Sequence, residues 1–455
     1  MEFNIVIENV QHIEKLSLSL DLSLNRIMCI AGKNSIGKTT LLRSIRNIYR
    51  SDTFIQTAAP YIFNERSQVT YSVGQLELKF NYSRSLQSLD TKQNIPEDIK
   101  NLFLVELPIP HGQRFSRFRA LSEIDEDIRA KIALSEYSTP TELINFLTEV
   151  YEDDRFENLK QVQIKGDVYY FILKDEVDRF YIREDYFSSG EYFLVSLYKN
   201  IQTRKKIILI DEIDISLDAR AQVKLIDCLR HYCETFQLNI VFTTHSLALM
   251  KTLRPEEIFY IDKHDGAVSI NNRSYNYIKS VLYGFSGYDK YILTEDKTLE
   301  SYLRHLINDV QDLFFKFQIV YVGGGSEVID LMRRNEANLY FSESQNVISV
   351  LDGDQLEKQY HLQIENVFYL PFSNVECELY DRYCNNDEVI PRVDSIEGGK
   401  RTKRAKNLYS KLIANVHGRG QLMAETRIFD YLNLLYKNEV EQLKANIVNF
   451  LKPGV

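Results

Sequence analysis

The residues most able to do chemistry lie in a glycine-containing run near the start of the chain, from Gly32 to Thr39 (GKNSIGKT). The run follows an apolar segment (RIMCIA) and precedes a segment of helical spacing (TTLLRSIR), so it should connect a strand to a helix. Glycines at such a turn let backbone N–H groups surround phosphate oxygens at a helix N-terminus. The pattern is that of a phosphate-binding loop, with Lys38 on the β- and γ-phosphates and Thr39 on Mg²⁺. The predicted nucleotide contacts are Gly32, Asn34, Gly37, Lys38, Thr39 and Thr40.

A second chemical feature is the apolar run Ile207–Ile210, which is followed directly by Asp211 and Glu212. Asp211 is predicted to hold Mg²⁺, directly or through water, opposite Thr39. Glu212 then stands where a general base must polarise the attacking water. A strand that simply ends in solvated acids is common, and the phosphate-binding loop upstream is what favours the catalytic interpretation.

Three further segments stand in order around these two. They are Ser188-Ser189-Gly190-Glu191, which opens an apolar helical run, Ser216-Leu217-Asp218, and Thr243-Thr244-His245-Ser246, which follows a strand. A serine hydroxyl and backbone N–H groups at a helix start can clamp a γ-phosphate. Each segment is weak evidence alone, and a lone histidine is usually structural. Together with the phosphate-binding loop and the strand-end acids, however, the three segments form an ordered set of five motifs.

This ordered set resembles the motifs of ABC-type ATPases, with Phe-Ser-Ser-Gly-Glu in place of the signature Leu-Ser-Gly-Gly-Gln. The resemblance is to the RecF/SMC-like branch and not to a transporter subunit. It implies ATP and Mg²⁺ as cofactors, nucleotide contacts from Ser188, Ser189, Gly190 and Asp218, and a switch role for His245. It also implies a head-to-tail homodimer, in which the signature of one protomer closes the phosphate-binding loop of the other. Three alternatives remain for the Q-loop glutamine: Gln56, Gln68 or neither of them.

A second group of acids lies in the C-terminal half, where strand and helix patterns alternate. Glu295 ends the strand pattern YILTE, and Asp352 and Asp354 end the strand pattern NVISVLDGD. Because parallel strands carry their carboxyl ends to one edge, these acids can converge on one crevice. Carboxylate oxygens there suit Mg²⁺ or Mn²⁺. Solvated acids in ordinary turns are the alternative.

The order of a strand-ending Glu, a glycine turn (Gly323-Gly324-Gly325) and Asp-x-Asp resembles a Toprim domain. An ABC ATPase followed by Toprim resembles the OLD (overcoming lysogenisation defect) nuclease family, whose Gabija-type and retron-associated relatives act in bacterial anti-phage defence. The resemblance implies an ATP-regulated, metal-dependent endonuclease with Glu295, Asp352 and Asp354 as catalytic metal ligands.

The chain departs from that family in one place. The family carries a second acid four residues after the first, where this chain has Leu299, and Asp296 replaces the usual glycine. Glu300, one residue later, and Glu376 are therefore candidates for a second metal site. Glu378 would share the face of Glu376 if that segment were extended.

The charge distribution constrains the partners. A net charge of −9 gives no general attraction to nucleic acid, so binding needs a local basic patch. The densest basic run is Lys400-Arg401-x-Lys403-Arg404-x-Lys406, which can bind phosphates or be a solvated helix start. Arg333 and Arg334 are weaker candidates. DNA is favoured over RNA as the nucleic-acid partner.

The sequence thus predicts an α/β chain with three parts. Residues 1–283 form the ABC-type ATPase domain, with β-rich and helical insertions (the helical one about 110–160), residues 284–390 a smaller parallel α/β Toprim-like domain, and residues 391–455 a basic, helical extension. No apolar stretch is long enough to span a membrane, and five cysteines without zinc spacing indicate a reducing compartment, so a cytoplasmic protein is expected.

Two other functions remain open at this point. One is a sensor or scaffold ATPase of a defence complex, whose degenerate Toprim domain controls a separate effector. The other is a DNA-repair ATPase of the RecF/SMC-like branch. The predicted partners are a second copy of the chain or a larger homo-oligomer, nucleic acid, and other defence components such as a reverse transcriptase with its msDNA, a helicase or an effector.

Overall fold

The structure is a computed structural model that describes residues 1–54, 62–108, 119, 121–175, 180–264, 267–284, 287–310, 313–358, 364–414 and 421–453. The chain divides into two compact units, Met1–Ile278 and Lys279–Val455. The domain boundary predicted between 283 and 284 falls slightly later than this division, and the three-part organisation stays a prediction.

The N-terminal unit begins with a hairpin of β1 (Glu2–Val10) and β2 (Ile13–Asp21), paired antiparallel as the alternating sequence predicts. Phe3, Ile5 and Ile7 are fully buried, because alternate residues of a strand face the core. The other strands of the unit are β3 (Ile27–Ala31), β4 (Phe63–Val73), β5 (Leu76–Ser83), β6 (Ser88–Asp90), β7 (Phe103–Glu106), β8 (Leu159–Ile164), β9 (Asp167–Asp175), β10 (Phe180–Arg183), β11 (Ile207–Ile210), β12 (Asn239–Thr243), β13 (Ile258–His264) and β14 (Ala267–Asn272).

Most of these strands form one sheet, which in the described residues has the order β6-β5-β4-β1-β2-β14-β13-β3-β12-β11-β7. The run from β13 through β3, β12 and β11 to β7 is parallel. Every residue of β3, β11 and β12 is buried, as expected for parallel strands covered on both faces. The carboxyl ends of these three central strands therefore lie side by side, and the phosphate-binding loop, the acids Asp211 and Glu212, and the His245 segment follow them.

Helices of the N-terminal unit are α1 (Lys38–Arg46), α2 (Glu97–Lys100), α3 (Asp125–Ala133), α4 (Thr141–Tyr151), α5 (Ser189–Gln202), α6 (Ala219–Phe236), α7 (Leu247–Lys251) and α8 (Tyr275–Tyr283), the last of which contains the point of division. The predicted helical insertion contains α3 and α4. It continues into a small antiparallel sheet of order β10-β9-β8, and its residues 109–118 and 120 lie outside the described residues.

The C-terminal unit contains a parallel sheet of order β16-β15-β17-β18, with strands β15 (Lys290–Thr294), β16 (Phe317–Tyr321), β17 (Val347–Leu351) and β18 (Val367–Tyr369). Its helices are α9 (Lys297–Ile307), α10 (Gly325–Asn338), α11 (Val375–Cys384), α12 (Arg401–Ile413), α13 (Glu425–Leu435) and α14 (Lys437–Phe450). The predicted alternation of strand and helix is confirmed.

The last helices belong to the core of this unit. Leu408 of α12 and Ile428 of α13 are fully buried in the same hydrophobic cluster as Leu303 of α9. A second cluster, with Val328 and Ile329 of α10, covers the sheet separately. In the described part of the chain, no helix combines the length and apolar character that crossing a bilayer requires.

Candidate nucleotide site and acidic cavity

The loop between β3 and α1 has a backbone that only a glycine fits at one point. Gly37 has φ +118°, and a Cβ atom there would lie 2.7 Å from Cδ1 of Ile13. The next residue, Lys38, begins α1, and its ammonium donates to the carbonyl oxygens of Gly32 (2.7 Å) and Lys33 (3.0 Å). Burial lowers the pKa of Lys38. The loop thus holds its lysine at the start of a helix, where phosphate oxygens would meet backbone N–H groups.

Both carboxylate oxygens of Asp211 accept hydrogen bonds from hydroxyl groups, one at the start of α1 and one at the end of β12. The Thr39 hydroxyl donates to one oxygen at 2.7 Å, and the Thr243 hydroxyl donates to the other at 2.6 Å. The Thr243 oxygen also accepts the backbone N–H of Glu212 at 2.8 Å. Glu212 has φ +53°, a left-handed backbone that is strained for a non-glycine residue and is held here by this bond. Burial raises the pKa of Glu212, and the charge of Asp211 adds to the shift.

These groups surround one cavity of about 630 Å³. The cavity is lined by Gln11, His12, Asn34, Ser35, Gly37, Lys38, Thr39, Thr40, Arg43, Glu212 and His245. The structure therefore brings together most of the residues predicted from the loop, the strand-end acids and the histidine. Gly32 and Asp211 lie directly behind them, bonded to Lys38 and Thr39.

Four lining residues were not among the predicted contacts, and one of them, Ser35, lies within the phosphate-binding loop itself. Arg43 lies one helical turn after Thr39, and that spacing alone could have identified it. Gln11 and His12 come from the turn between β1 and β2, and the Gln11 amide contacts the Thr40 hydroxyl. No local pattern could have placed that turn beside the loop, because the sheet order brings them together.

The Q-loop glutamine is not resolved by the fold. Gln56 lies outside the described residues. Gln68 lies on β4, where its side chain donates to Asn81 at 2.7 Å, and it is not among the described residues that line the nucleotide cavity.

The loop after β12 is fixed by a second threonine. The Thr244 hydroxyl donates to Asp214 at 2.6 Å, and the backbone N–H of His245 lies 3.4 Å from the same oxygen. Burial lowers the pKa of His245, and the nearby Lys38 ammonium lowers it further. Both effects favour a neutral imidazole at the cavity wall.

The signature-like segment caps its own helix. Ser188 precedes α5 and accepts the Glu191 N–H at 3.3 Å, while the Glu191 carboxylate accepts the Ser188 N–H at 2.8 Å. A Cβ atom on Gly190 would lie 2.6 Å from the carbonyl oxygen of Ser216, so a larger residue is excluded. The sequence Ser-Ser-Gly-Glu therefore fits a capped helix start packed closely against the Ser216 loop.

The signature residues stand apart from the nucleotide cavity of their own chain. Ser188, Ser189 and Gly190 are absent from its described lining, and Ser189 instead borders a neighbouring cavity of about 590 Å³ that also contacts Ser216. Asp218 caps α6 by accepting two backbone N–H groups. Within one chain, these predicted contacts do not meet the phosphate-binding loop.

In the C-terminal unit, the predicted acids meet in a cavity of about 550 Å³. We call this the acidic cavity; its lining includes Glu295, Asp296, Gly323, Gly324, Asp352, Asp354, Gln355, Asn374, Glu376, Cys377, Thr402, Lys403 and Lys406. Glu295 follows β15 and accepts the backbone N–H of Asp352, which follows β17, at 2.9 Å. A Cβ atom on Gly353 would lie 2.3 Å from the carbonyl oxygen of Phe372, which explains the glycine between the two aspartates.

Burial raises the pKa of three carboxyl groups in the acidic cavity. Burial raises the pKa of Asp352 to about 9, and the charge of Glu295 contributes next. Burial also raises the pKa of Glu295 and of Glu376. Hard oxygen donors are the chemistry that Mg²⁺ and Mn²⁺ prefer. Among the described residues, however, no group of three or more acidic, histidine or cysteine side chains is arranged to hold a metal ion.

The two candidate second-site acids differ in position. Glu376 lies at the start of α11, lines the acidic cavity and accepts the Thr298 hydroxyl at 3.0 Å. Glu300 is not among the described lining residues, and its carboxylate instead pairs with Arg304 at 2.7 Å. Glu378 does not share the face of Glu376, because the segment is helical and not extended.

The basic run divides between two faces of α12. Lys403 and Lys406 line the acidic cavity, with the Lys406 ammonium 4.0 Å from Asp296. Arg401 pairs with Asp381, and Arg404 donates to the carbonyl oxygen of Gly398 at 2.8 Å. Arg333 and Arg334, on α10, are absent from the described lining of the cavity.

Comparison with known proteins identifies the class of the N-terminal unit. A family model described as "ABC transporter" matches residues 16–214, which include the phosphate-binding loop, the signature-like segment and both strand-end acids. Together with the geometry above, this match shows an ABC-type ATPase domain, with ATP and Mg²⁺ as the cofactors of its nucleotide site.

Individual relatives are distant. The phosphonates import ATP-binding protein PhnC of Lactobacillus acidophilus is 22% identical over 232 residues, which cover 51% of this chain and 73% of that protein. The Septu protein PtuA of Bacillus thuringiensis is 23% identical over 339 residues, covering 64% of this chain and 82% of that protein. Among solved structures, the Smc head domain of Pyrococcus furiosus bound to the C-terminal domain of ScpA aligns with TM-score 0.39 and 11% identity, over 62% of this chain and 98% of that one.

Proposed function

We propose that this chain is an ATP-regulated, metal-dependent endonuclease of the OLD type, acting in bacterial anti-phage defence. The observation that carries the nuclease half is the acidic cavity. In this cavity, some of the acids follow two adjacent parallel strands and another lies at the start of a helix. Two lysines line the same cavity. The similarity to the Septu protein PtuA, over 64% of this chain, supports the defence setting.

In the ATPase unit, we assign roles by the geometry of the nucleotide cavity. Lys38 contacts the β- and γ-phosphates, Thr39 and Asp211 hold Mg²⁺, and Glu212 is the general base. His245 acts as the switch beside the γ-phosphate. Backbone and side-chain groups of Gly32, Asn34, Gly37 and Thr40 complete the phosphate contacts.

The second half of the nucleotide site comes from another copy of the chain. Ser188, Ser189, Gly190 and Asp218 do not line the nucleotide cavity of their own chain in the described residues. The serines nevertheless form a helix start suited to a γ-phosphate. A head-to-tail homodimer, or a larger assembly built from it, reconciles the two facts.

In the C-terminal unit, Glu295, Asp352 and Asp354 would hold a divalent cation, Mg²⁺ or Mn²⁺, and Glu376 would contribute to a second. A bound cation would supply an activated water and neutralise charge on the phosphodiester. Five acidic residues and two lysines are among the described lining residues of the cavity, and a bound cation would offset the charge of the acids that ionise to hold it. Lys403 and Lys406 then orient the phosphates of the nucleic acid, which we take to be DNA.

The deciding experiment is cleavage of plasmid DNA and of RNA by the purified protein with Mg²⁺ or Mn²⁺, with and without ATP. Asp352→Ala should remove cleavage and keep ATP hydrolysis. Lys38→Ala should remove ATP binding and, with it, the regulation of cleavage. Wild-type protein that cuts nothing, whatever cation or nucleotide is supplied, contradicts the nuclease proposal. Unchanged ATP affinity in Lys38→Ala contradicts the loop assignment.

Two observations favour a second candidate function, a sensor or scaffold ATPase that controls a separate effector. The described residues contain no formed three-ligand metal group, and buried Leu299 occupies the position of the family's second acid. This candidate predicts a partner protein that binds the chain and is released or activated by ATP turnover. A nuclease reaction that requires Asp352 would exclude it.

A further inference from the structure

The end of α4 and the loop after it make a close contact with the signature-like segment. We call residues 151–156 the wedge. A Cβ atom on Gly190 would lie 2.8 Å from the hydroxyl of Tyr151, so this residue and the Ser216 loop together exclude any side chain at position 190. Arg155 reaches the same place, with its guanidinium 3.4 Å from the Glu191 carboxylate.

The same wedge also contacts the helix that follows the Ser216–Asp218 segment. Glu152 forms ion pairs with Arg220 and, at 2.6 Å, with Lys224, both on α6. The insertion is therefore joined at one point to the signature helix α5 and to α6. These are the two helices whose first residues we place against the partner's nucleotide.

The Arg155 side chain is itself held in place by its neighbours. Its guanidinium carbon lies 4.5 Å from the ring centroid of Tyr151 and 5.0 Å from that of Phe156, so two aromatic rings restrict it. The Glu191 side chain is 16% exposed and the Arg155 side chain 45%, so solvent screens this ion pair only in part, and Arg155 also lies 3.8 Å from the carboxylate of Asp153.

The two oxygens of Glu191 have separate tasks. Oε2 accepts the Ser188 N–H and completes the cap of α5, while Oε1 faces Arg155. One carboxylate therefore contacts both the Arg155 guanidinium and the backbone N–H of Ser188. This arrangement also explains why the segment ends in Glu where ABC-type signatures have Gln, because a neutral amide would lose the charge partner of Arg155.

We infer that Arg155 is a positioning residue that orients the signature-like segment for the partner's nucleotide, and that the insertion controls ATP turnover through the wedge. This inference rests on the proposed head-to-tail dimer. The insertion would act on the closing of the dimer and on hydrolysis, and not on ATP binding by the phosphate-binding loop.

The test compares Arg155→Met with Arg129→Met in the full-length protein. Arg129 is a matched control, since it is an exposed arginine of the same insertion that pairs with Asp125. Arg155→Met should lower kcat and the ATP-dependent dimer affinity, the latter measured in a Glu212→Gln background, by about three- to tenfold. Arg155→Met should not change the affinity of the monomer for ATP. Arg129→Met should match wild type in kcat, in dimer affinity and in the affinity of the monomer for ATP.

A double-mutant cycle with Glu191→Gln separates this role from a general loss of packing. A glutamine can still cap α5 but carries no charge, so Arg155→Met should have little further effect in that background, and Arg155→Lys should restore part of kcat. Independent, additive losses in the cycle would overturn the inference, as would normal dimerisation by Arg155→Met. A wild-type protein that hydrolyses ATP as a monomer would overturn the dimer proposal as well.

Discussion

The hydroxyl of Thr243 should govern both the stability of the nucleotide site and its catalysis. It is fully buried, donates to Asp211 at 2.6 Å and accepts the Glu212 N–H at 2.8 Å. Thr243→Val removes both bonds while keeping nearly the same shape. The change therefore tests the hydrogen bonds with little disturbance of the packing around β12.

The expected loss of stability follows from the two groups that lose a hydrogen-bond partner, the Asp211 carboxylate and the Glu212 N–H. A lost bond to a carboxylate is worth about 1.5–3 kcal/mol, and a buried N–H without a partner costs about 1–3 kcal/mol. We expect the free energy of unfolding of the N-terminal unit to fall by about 3 kcal/mol. The left-handed backbone of Glu212 would also lose its tether, and a base displaced by about 1 Å can cost about 10²-fold in kcat.

The assay is urea unfolding of the nucleotide-free protein together with steady-state ATP hydrolysis. The KM for ATP should stay near that of wild type, because Lys38 and the loop N–H groups are not altered. Thr244→Val is the matched comparison, since the hydroxyl of this buried neighbour also makes two bonds, donating to Asp214 at 2.6 Å and accepting the Ser246 N–H at 3.0 Å, and neither bond involves Asp211 or Glu212. It should lose a similar amount of stability but retain more activity than Thr243→Val, because the backbone of Glu212 keeps its bond to Thr243. Wild-type kcat in a destabilised Thr243→Val protein would refute the positioning argument.

Three further outcomes are expected. Glu212→Gln should bind ATP, hydrolyse it about 10²–10⁴-fold more slowly and accumulate as ATP-bound dimers in size-exclusion chromatography; near-normal turnover would place the base elsewhere. Asp352→Ala should abolish nucleic-acid cleavage at unchanged ATP hydrolysis, and persistent cleavage would remove the acidic cavity from the mechanism. Replacing Lys403 and Lys406 by Gln should lower the slope of log K against log salt by about 0.7–0.9 per lost phosphate contact, whereas Arg401→Gln should not; equal slopes would make the basic run a solvated surface.

Local patterns predicted the elements around both sites because each depends on nearby residues. The alternation in β1 and β2, the buried run of β11 and the capping residues of α5 all act over a few positions, and the structure has them where the sequence indicates. Ser188 is a clear case, since Ser followed three residues later by Glu is a helix-start pattern and forms the capping box observed.

Features that depend on sheet order could not be predicted in this way. The turn with Gln11 and His12 lines the nucleotide cavity only because β1 and β2 join the sheet through β14 and β13 to β3. The ion pair between Arg155 and Glu191 likewise joins two segments that no sequence periodicity relates. Long-range pairing of this kind is absent from any short window of the sequence.

The irregular acid spacing after Glu295 acquires a physical explanation from the structure. Leu299 is 1% exposed in the core that α9 shares with the C-terminal helices, so an acid at that position would cost desolvation with no partner. Glu300 lies about 100° further around the helix, toward Arg304 and away from the cavity. Asp296, which stands where the Toprim-like pattern has glycine, lines the cavity instead and caps α9 by accepting the Leu299 N–H. The acidic cavity therefore gains a carboxylate one residue after Glu295, and Asp296 is a better candidate than Glu300 for any second cation.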